Sequence, residues 1–291
     1  MVRLHVKRGD ESQFLFDAFV NDSVQKVTQD ICALYNGRLK IDRICCEIEE
    51  LAEHGTTLPQ EMQGLTDEQI EELKLKDIWG EKCIPSGGFE FNKDEIGRRN
   101  GKRPMQPMQD VLKKAVTDAK DLINKKLVTT NTPLTLKTVE EAMHILKGAV
   151  TIVYPMQLPP HDPIRMEFTN TEDLDGTQAS KEVIEPSKAV LWFAGHEMLG
   201  DKCLKDYVGA NDKTKVIVKI SSRGQGPPGR EPVLSEDARK QLMLQAYRRQ
   251  EQLKKLEQDD DDQYLNSPWA DSSSLKRQVH GVENVKFRLG M

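Results

Sequence analysis

Aromatic residues are scarce in this chain, 5% of its 291 positions. Proteins that grip nucleic acid by stacking bases need an aromatic platform, so the scarcity argues against that class. Positive charge is not in excess: 42 Lys and Arg stand against 47 Asp and Glu, a net charge of −5. No overall field draws in nucleic acid or anionic lipid. No apolar run approaches the roughly 20 residues that span a bilayer. The opening residues, MVRLHVKRGD, lack the apolar core of a signal peptide. The five cysteines (Cys32, Cys45, Cys46, Cys83 and Cys203) are odd in number and show no paired spacing, which excludes a disulfide framework and a CxxC zinc site. An intracellular protein is expected, with no cofactor and with neither nucleic acid nor membrane as partner.

What is present reads as alternating short elements. Val2, Leu4 and Val6 alternate with polar residues, Gly9–Ser12 turns, and Phe14, Phe16 and Ala18 resume the alternation. That is a hairpin. Asp22 is placed to cap a helix whose apolar face is Val24, Val27, Ile31 and Leu34, with Asn36-Gly37 as its stop. A hairpin followed by a helix across it is how a ubiquitin-like, or β-grasp, domain opens. A second helical face, Ile41, Ile44, Cys45, Ile48, Leu51 and Ala52, stops at Gly55, and Cys45 reads there as a small core residue. Thr66 to Gln69 is a capping box. Trp79 reads as a packing anchor, and Phe89-Glu90-Phe91 as a short strand.

Residues 92–107 are polar and basic, a loop carrying Arg98, Arg99, Lys102 and Arg103. They are candidates for contact with an acidic surface such as tubulin. An amphipathic helix is predicted from residue 108, and a second follows a capping box at Thr138 and runs to Gly148. The stretch 148–168, GAVTIVYPMQLPPHDPIRMEF, then reads as a turning point. A β-branched run at 149–154 suggests a buried strand, four prolines hold the backbone extended, and 164–168 suggests another strand. A helix over 186–199 and a strand over 214–220 complete a second α+β unit.

The expected organisation is therefore α+β throughout. An N-terminal ubiquitin-like hairpin-plus-helix domain with added helices occupies 1–91. A basic linker (92–107), a helical segment (108–147) and a second small α+β domain (148–220) follow. A Gly/Pro linker (221–234) leads to a long amphipathic helix (235–258) and an extended, acidic-then-basic tail (259–291). On the long helix Leu242, Ala246, Arg249, Leu253 and Leu256 repeat at spacings of four and three, the pattern of a coiled-coil seam. Leu242, Arg249, Leu253 and Leu256 are candidate partner-binding residues, as are the tail's Tyr264, Leu265, Trp269 and Phe287, since buried aromatics dominate many interfaces.

Motifs for chemistry fail one by one. Gly224 to Gly229 matches GxGxxG, but Pro227 and Pro228 have no N–H to offer phosphate and no helix opens there. No GxSxG elbow, EF-hand loop or histidine pair one helical turn apart occurs. No catalytic, cofactor-binding or metal-ligating residue is nominated, and the chain does not read as an enzyme.

The strings MVRLHVKRGDESQF, YNGRLK, EELAEHG, MQGLTDEQIEELKLKDIWGEKC, DEIGRRNG, VYPMQLPPHDPIRMEF, REPVLSEDARKQLML and YLNSPWADSSSLKR resemble the Kurly family of cilia- and flagella-associated proteins, co-linearly over nearly the whole length. The resemblance implies a non-enzymatic protein of motile cilia, required for dynein-arm assembly or placement, ciliary beating and the orientation of cilia in planar polarity. It implies a location in the cytoplasm, at the ciliary base and in the axoneme. The partners implied are dynein assembly factors or dynein subunits, or doublet-microtubule tubulin and its associated filament proteins. Two roles follow: a cytoplasmic assembly factor, or a structural component clasping neighbouring filaments on the doublet.

Overall fold

The alternation at the N-terminus does make a hairpin. Strand β1 (Val2–Arg8) pairs antiparallel with β2 (Glu11–Ala18), with a bulge after Val6. The computed structural model describes residues 1–229 and 236–258. Helix α1 (Val24–His54) follows, 31 residues long. Ser23, not Asp22, is its N-cap, accepting from the Lys26 N–H; the Asp22 carboxylate instead accepts from the Phe19 N–H at 2.8 Å. Asn36-Gly37 does not stop it. A Cβ at Gly37 would lie 2.9 Å from Val139 Cγ1. The glycine is there for close helix packing, so the two predicted helices are one. Gly55 ends it at φ 79°, with its N–H returned to the Leu51 carbonyl.

Next come α2 (Asp67–Glu72), opened by the predicted Thr66–Gln69 capping box, and α3 (Ile78–Lys82). Trp79 is not the anchor predicted: it remains 39% exposed, with the Lys82 ammonium 5.4 Å over its ring. The basic linker holds a strand. β3 (Phe89–Phe91) pairs with β4 (Lys102–Pro104) in a small second sheet. Helix α4 (Gln106–Ile123) and α5 (Leu136–Val153) then pack against α1, and the 3₁₀ turn between them (Lys125–Val128) packs against β2. Thr135 caps α5 and Thr138 is its third residue, so the box lies three residues earlier than predicted.

The turning point at 148–168 contains no strand. Leu146, Ala149, Val150 and Val153 continue the buried stripe of α5, and contacts with its neighbours outweigh the modest helix cost of β-branched residues. Gly148 faces open space on the helix's outer side, where its small propensity cost is tolerated. Residues 164–168 belong to α6 (Pro163–Thr169), with Asp162 as N-cap and Pro163 in the first turn, where proline's missing N–H costs nothing. After α7 (Gln178–Glu182) the region predicted as a helix at 186–199 forms β5 (Ala189–Phe193) and β6 (His196–Glu197). α8 (Lys205–Val208) leads to β7 (Lys215–Ser222), whose Val216, Val218 and Ile220 are buried as predicted.

The other five strands form one mixed sheet in the order β2-β1-β7-β5-β6, with β7 parallel to β1 and antiparallel to its other neighbour, β5. That order, with α1 across one face, is the β-grasp arrangement. The segment 148–220 is therefore not a separate fold. Its strands complete the sheet begun by the hairpin, and the residues between α1 and β5 are an insertion into one domain. Val2, Leu4 and Val6, the α1 face Val27, Ile31, Leu34, Ile41, Ile44 and Ile48, and Val218 and Leu191 lie in a continuous core with α4 and α5. Residues Met1–Glu231 form one compact unit and Pro232–Met291 another. In the second, α9 (Glu236–Gln258) is a 23-residue helix. Among the described residues no helix is long and apolar enough to cross a membrane. Tyr264, Leu265, Trp269 and Phe287 lie outside the described residues.

Candidate functional site

The basic loop is built around a carboxylate. Asp94 accepts from the backbone N–H groups of Ile96 (3.0 Å), Arg98 (2.9 Å) and Arg99 (3.0 Å). Burial alone would raise its pKa; the three donors, with His54 nearby, more than offset this and hold it below the ordinary value of 3.8. The turn so fixed points both arginines at the C-terminal half of α1. Arg99, with its side chain 1% exposed, reaches Glu47 at 2.6 Å and Glu50 at 3.4 Å, and donates to the Gly55 carbonyl at 2.8 Å. Arg98 takes the other Glu47 oxygen at 2.8 Å and Glu50 at 3.3 Å. Cations at a helix C-terminus satisfy free carbonyls and the dipole. Two glutamates there would otherwise oppose that dipole.

Lys102 donates to the Gly80 carbonyl at 3.1 Å and covers the Phe89 ring, and Arg103 pairs with Glu90. All four cations nominated for an acidic partner are thus engaged within the chain. Arg98 and Arg103 keep part of their side chains in solvent; Arg99 does not. Patterning could not reveal this, because Glu47 and Glu50 are some fifty residues upstream of their partners.

The candidate helix residues are placed differently. On α9, Leu242 is 50% and Leu253 55% exposed, and Arg249 is also exposed. Met243, Leu244 and Tyr247 add further uncovered apolar area. Leu256 falls in the last turn of the same helix. The helix forms as expected, and its described side chains from Arg239 to Lys255 are exposed on every face.

Sequence reasoning did not find a cleft of about 990 Å³ along α1, floored by Tyr35, Arg38, Asp42 and Arg43. Its cations are held in place: Arg38 donates to the Gln13 carbonyl and side-chain oxygen at 2.6 and 2.8 Å, Arg43 pairs with Glu167 at 2.6 Å, and Arg8 lies over Tyr35. Cys46 lines the cleft, but burial raises its pKa, so it is a thiol at neutral pH and a poor nucleophile. Cys45 is pushed up to about 12 by burial, as befits a core residue. Deeper, Asp162 is fully buried, accepts from the Thr57 N–H and hydroxyl at 3.3 and 3.1 Å, and has its pKa raised by desolvation. Among the described residues, no group of three His, Cys, Asp or Glu is arranged to hold a metal ion.

The sequence profile of the family "Cilia- and flagella-associated protein 298" matches residues 189–285. Full-length relatives are more extensive matches. Cilia- and flagella-associated protein 298 of Drosophila melanogaster is 65% identical over 288 residues, 99% of each chain. The Danio rerio protein of that name is 61% identical over 287 residues, and the Homo sapiens protein 59% over 288, again with 99% of each chain covered. No solved structure matches the chain.

Proposed function

Because the chain belongs to the cilia- and flagella-associated protein 298 family, we propose that it is a non-enzymatic protein of motile cilia that supports axonemal dynein-arm assembly and ciliary beating through protein–protein contacts. The observation carrying the contact-based reading is the uncovered seam of α9. Leu242 and Leu253 lie half or more exposed on one helix face. Apolar area of that kind gains roughly 25 cal/mol per Å² when a partner covers it. The relatives are named for association with cilia and flagella, which is not the name of an enzyme family. On this reading the working locations are the cytoplasm, the ciliary base and the axoneme, and the partners are dynein assembly factors or dynein subunits. The paired loop cations leave little free charge for tubulin, which favours the assembly role over a clasp on the doublet microtubule.

Sequential extraction of isolated cilia with detergent and then high salt separates the two roles. Release with the soluble matrix, together with a cytoplasmic pool bound to dynein subunits, is the expected result. Retention on salt-washed doublets would overturn the assembly reading in favour of the structural one. Leu253→Asp, at an exposed position, should lower recovery of dynein subunits in pull-downs from cytoplasm without changing the melting temperature. Undiminished recovery would remove the seam from the mechanism.

A further inference from the structure

The cations of the 92–107 loop are engaged within the chain, but those of α9 are not. Between its first and last turns stand six basic side chains, Arg239, Lys240, Arg248, Arg249, Lys254 and Lys255, and a single acid, Glu251, in a chain whose net charge is −5. All six are exposed, and among the described residues none is held by an ion pair or a side-chain hydrogen bond. Large apolar groups are interleaved with them. Leu242, Met243, Leu244, Tyr247 and Leu253 are each half or more exposed, and uncovered apolar area so concentrated marks a site of interaction.

Where these groups point decides what can cover them. At about 100° per residue, Leu242 and Leu253 share one side of the helix. Leu244 comes nine residues before Leu253, which puts it on the opposite side and about 13.5 Å away along the axis. Met243 and Tyr247, one turn apart, face between the two sides. The cations are spread in the same way: Arg249 flanks the Leu242–Leu253 side, and Arg248 and Lys255 flank Leu244. A flat partner reaches only one side of such a helix. An anionic bilayer would cover about half of its circumference and leave either Leu244 or Leu253 in water. A second copy of the chain, packed along the Leu242–Leu253 side, would bury Arg249 in the seam, set like charges together and leave Leu244 bare.

We propose that α9 is the docking helix for a calcium-loaded EF-hand protein of the two-lobed sensor class, whose lobes close round it from opposite sides. Each lobe of such a protein opens on binding calcium and exposes a methionine-rich apolar groove, a groove that takes basic amphipathic helices. One lobe takes Leu244 and the other Leu253, with Met243 and Tyr247 in the channel between them. The pliable thioethers of the groove fit leucine, methionine and tyrosine alike. Acidic side chains round the grooves meet cations that surround the helix, a match that neither a bilayer nor a second copy offers. At 23 residues the helix is about 34 Å long, enough to pass through both lobes. The proposal rests on the same exposed helix as the contact-based reading above, and it names a class of partner for that helix.

The test is a fluorescence-anisotropy titration of labelled calmodulin with the full-length protein, in calcium and in EGTA. Saturable binding in calcium, lost in EGTA, is expected. The L244A/L253A double variant should lose about a hundredfold in affinity, tenfold for each anchor withdrawn from its groove. R248E/R249E should lose about tenfold and show a shallower salt dependence. K113E/K114E, on the exposed side of α4, should bind as the parent does. Circular dichroism checks that each variant is folded; should L244A/L253A unfold, R248E/R249E and Leu244→Ala alone carry the test, and both should weaken binding. No binding by the parent in calcium, binding undiminished by EGTA, or equal binding by the α9 variants overturns the proposal. Such a failure is separable from failure of the assembly reading, which the dynein pull-down decides without an EF-hand protein. Dimerisation of the parent that L244A/L253A abolishes, or binding to phosphatidylserine vesicles tighter than to calmodulin, overturns the choice of occupant.

Discussion

Arg98 and Arg99 are neighbours of identical chemistry with different environments. Arg99 is buried on Glu47 and on the carbonyl that ends α1, while Arg98 stays more than a third exposed. Removing one partner of a buried pair strands the other charge and costs about 3 kcal/mol, whereas an exposed pair contributes less than about 1 kcal/mol. Arg99→Ala should therefore lower the urea midpoint far more than Arg98→Ala, and equal shifts would refute the assignment of Arg99 as the cap of α1. Asp94 gives a pH signature. Its folded pKa lies below the ordinary 3.8. The unfolded carboxylate therefore protonates first, and its stabilisation is complete above that value and fades as pH falls through the folded pKa. The stability gap between the parent and Asp94→Asn should be full at about pH 6 and close steadily below about pH 4. A gap independent of pH would mean that the side chain acts by shape alone.

Elements were legible where a local rule decided them. The hairpin follows from alternation, the α2 cap from Thr66 and Gln69, and β7 from Val216, Val218 and Ile220. Where a remote contact decided, the local rule misled. Residues 149–153 have strand-like side chains but lie helical because Ala149, Val150 and Val153 meet the core. Residues 189–193 are an apolar run whose length alone does not separate helix from strand, and pairing with β7 settles them. Gly37 shows the same principle: a helix stop by composition, it lies where α5 leaves no room for a side chain, a Cβ there falling 2.9 Å from Val139 Cγ1. Gly37→Val would drive methyl groups into Val139. It should cost roughly 1–3 kcal/mol as overpacking does, read as a fall in melting temperature. Pairing it with Val139→Ala should restore part of that loss. No rescue would place the strain elsewhere than the α1–α5 contact.

At the scale of the molecule, the main consequence is that two apparent domains are one sheet. β1 finds its parallel neighbour more than two hundred residues later in β7, and only then is the hairpin flanked on both sides of its first strand. Contacts so distant in sequence slow folding, because loop closure precedes any gain from pairing. The helices of the insertion cannot substitute, since they pack on α1 and leave the β1 edge open to other chains. The two expected organisations predict opposite results for truncation. If 148–220 were a separate domain, a chain ending at Val208 would keep a folded N-terminal half. With β7 central, that chain loses the strand joining β1 to β5 and should aggregate, while a chain ending at Gly229 keeps the sheet and the core of Met1–Glu231. Size-exclusion chromatography and thermal unfolding of the two truncations distinguish these outcomes. The longer should melt cooperatively within a few degrees of the parent, and a cooperative, monomeric shorter chain would sink the single-sheet account.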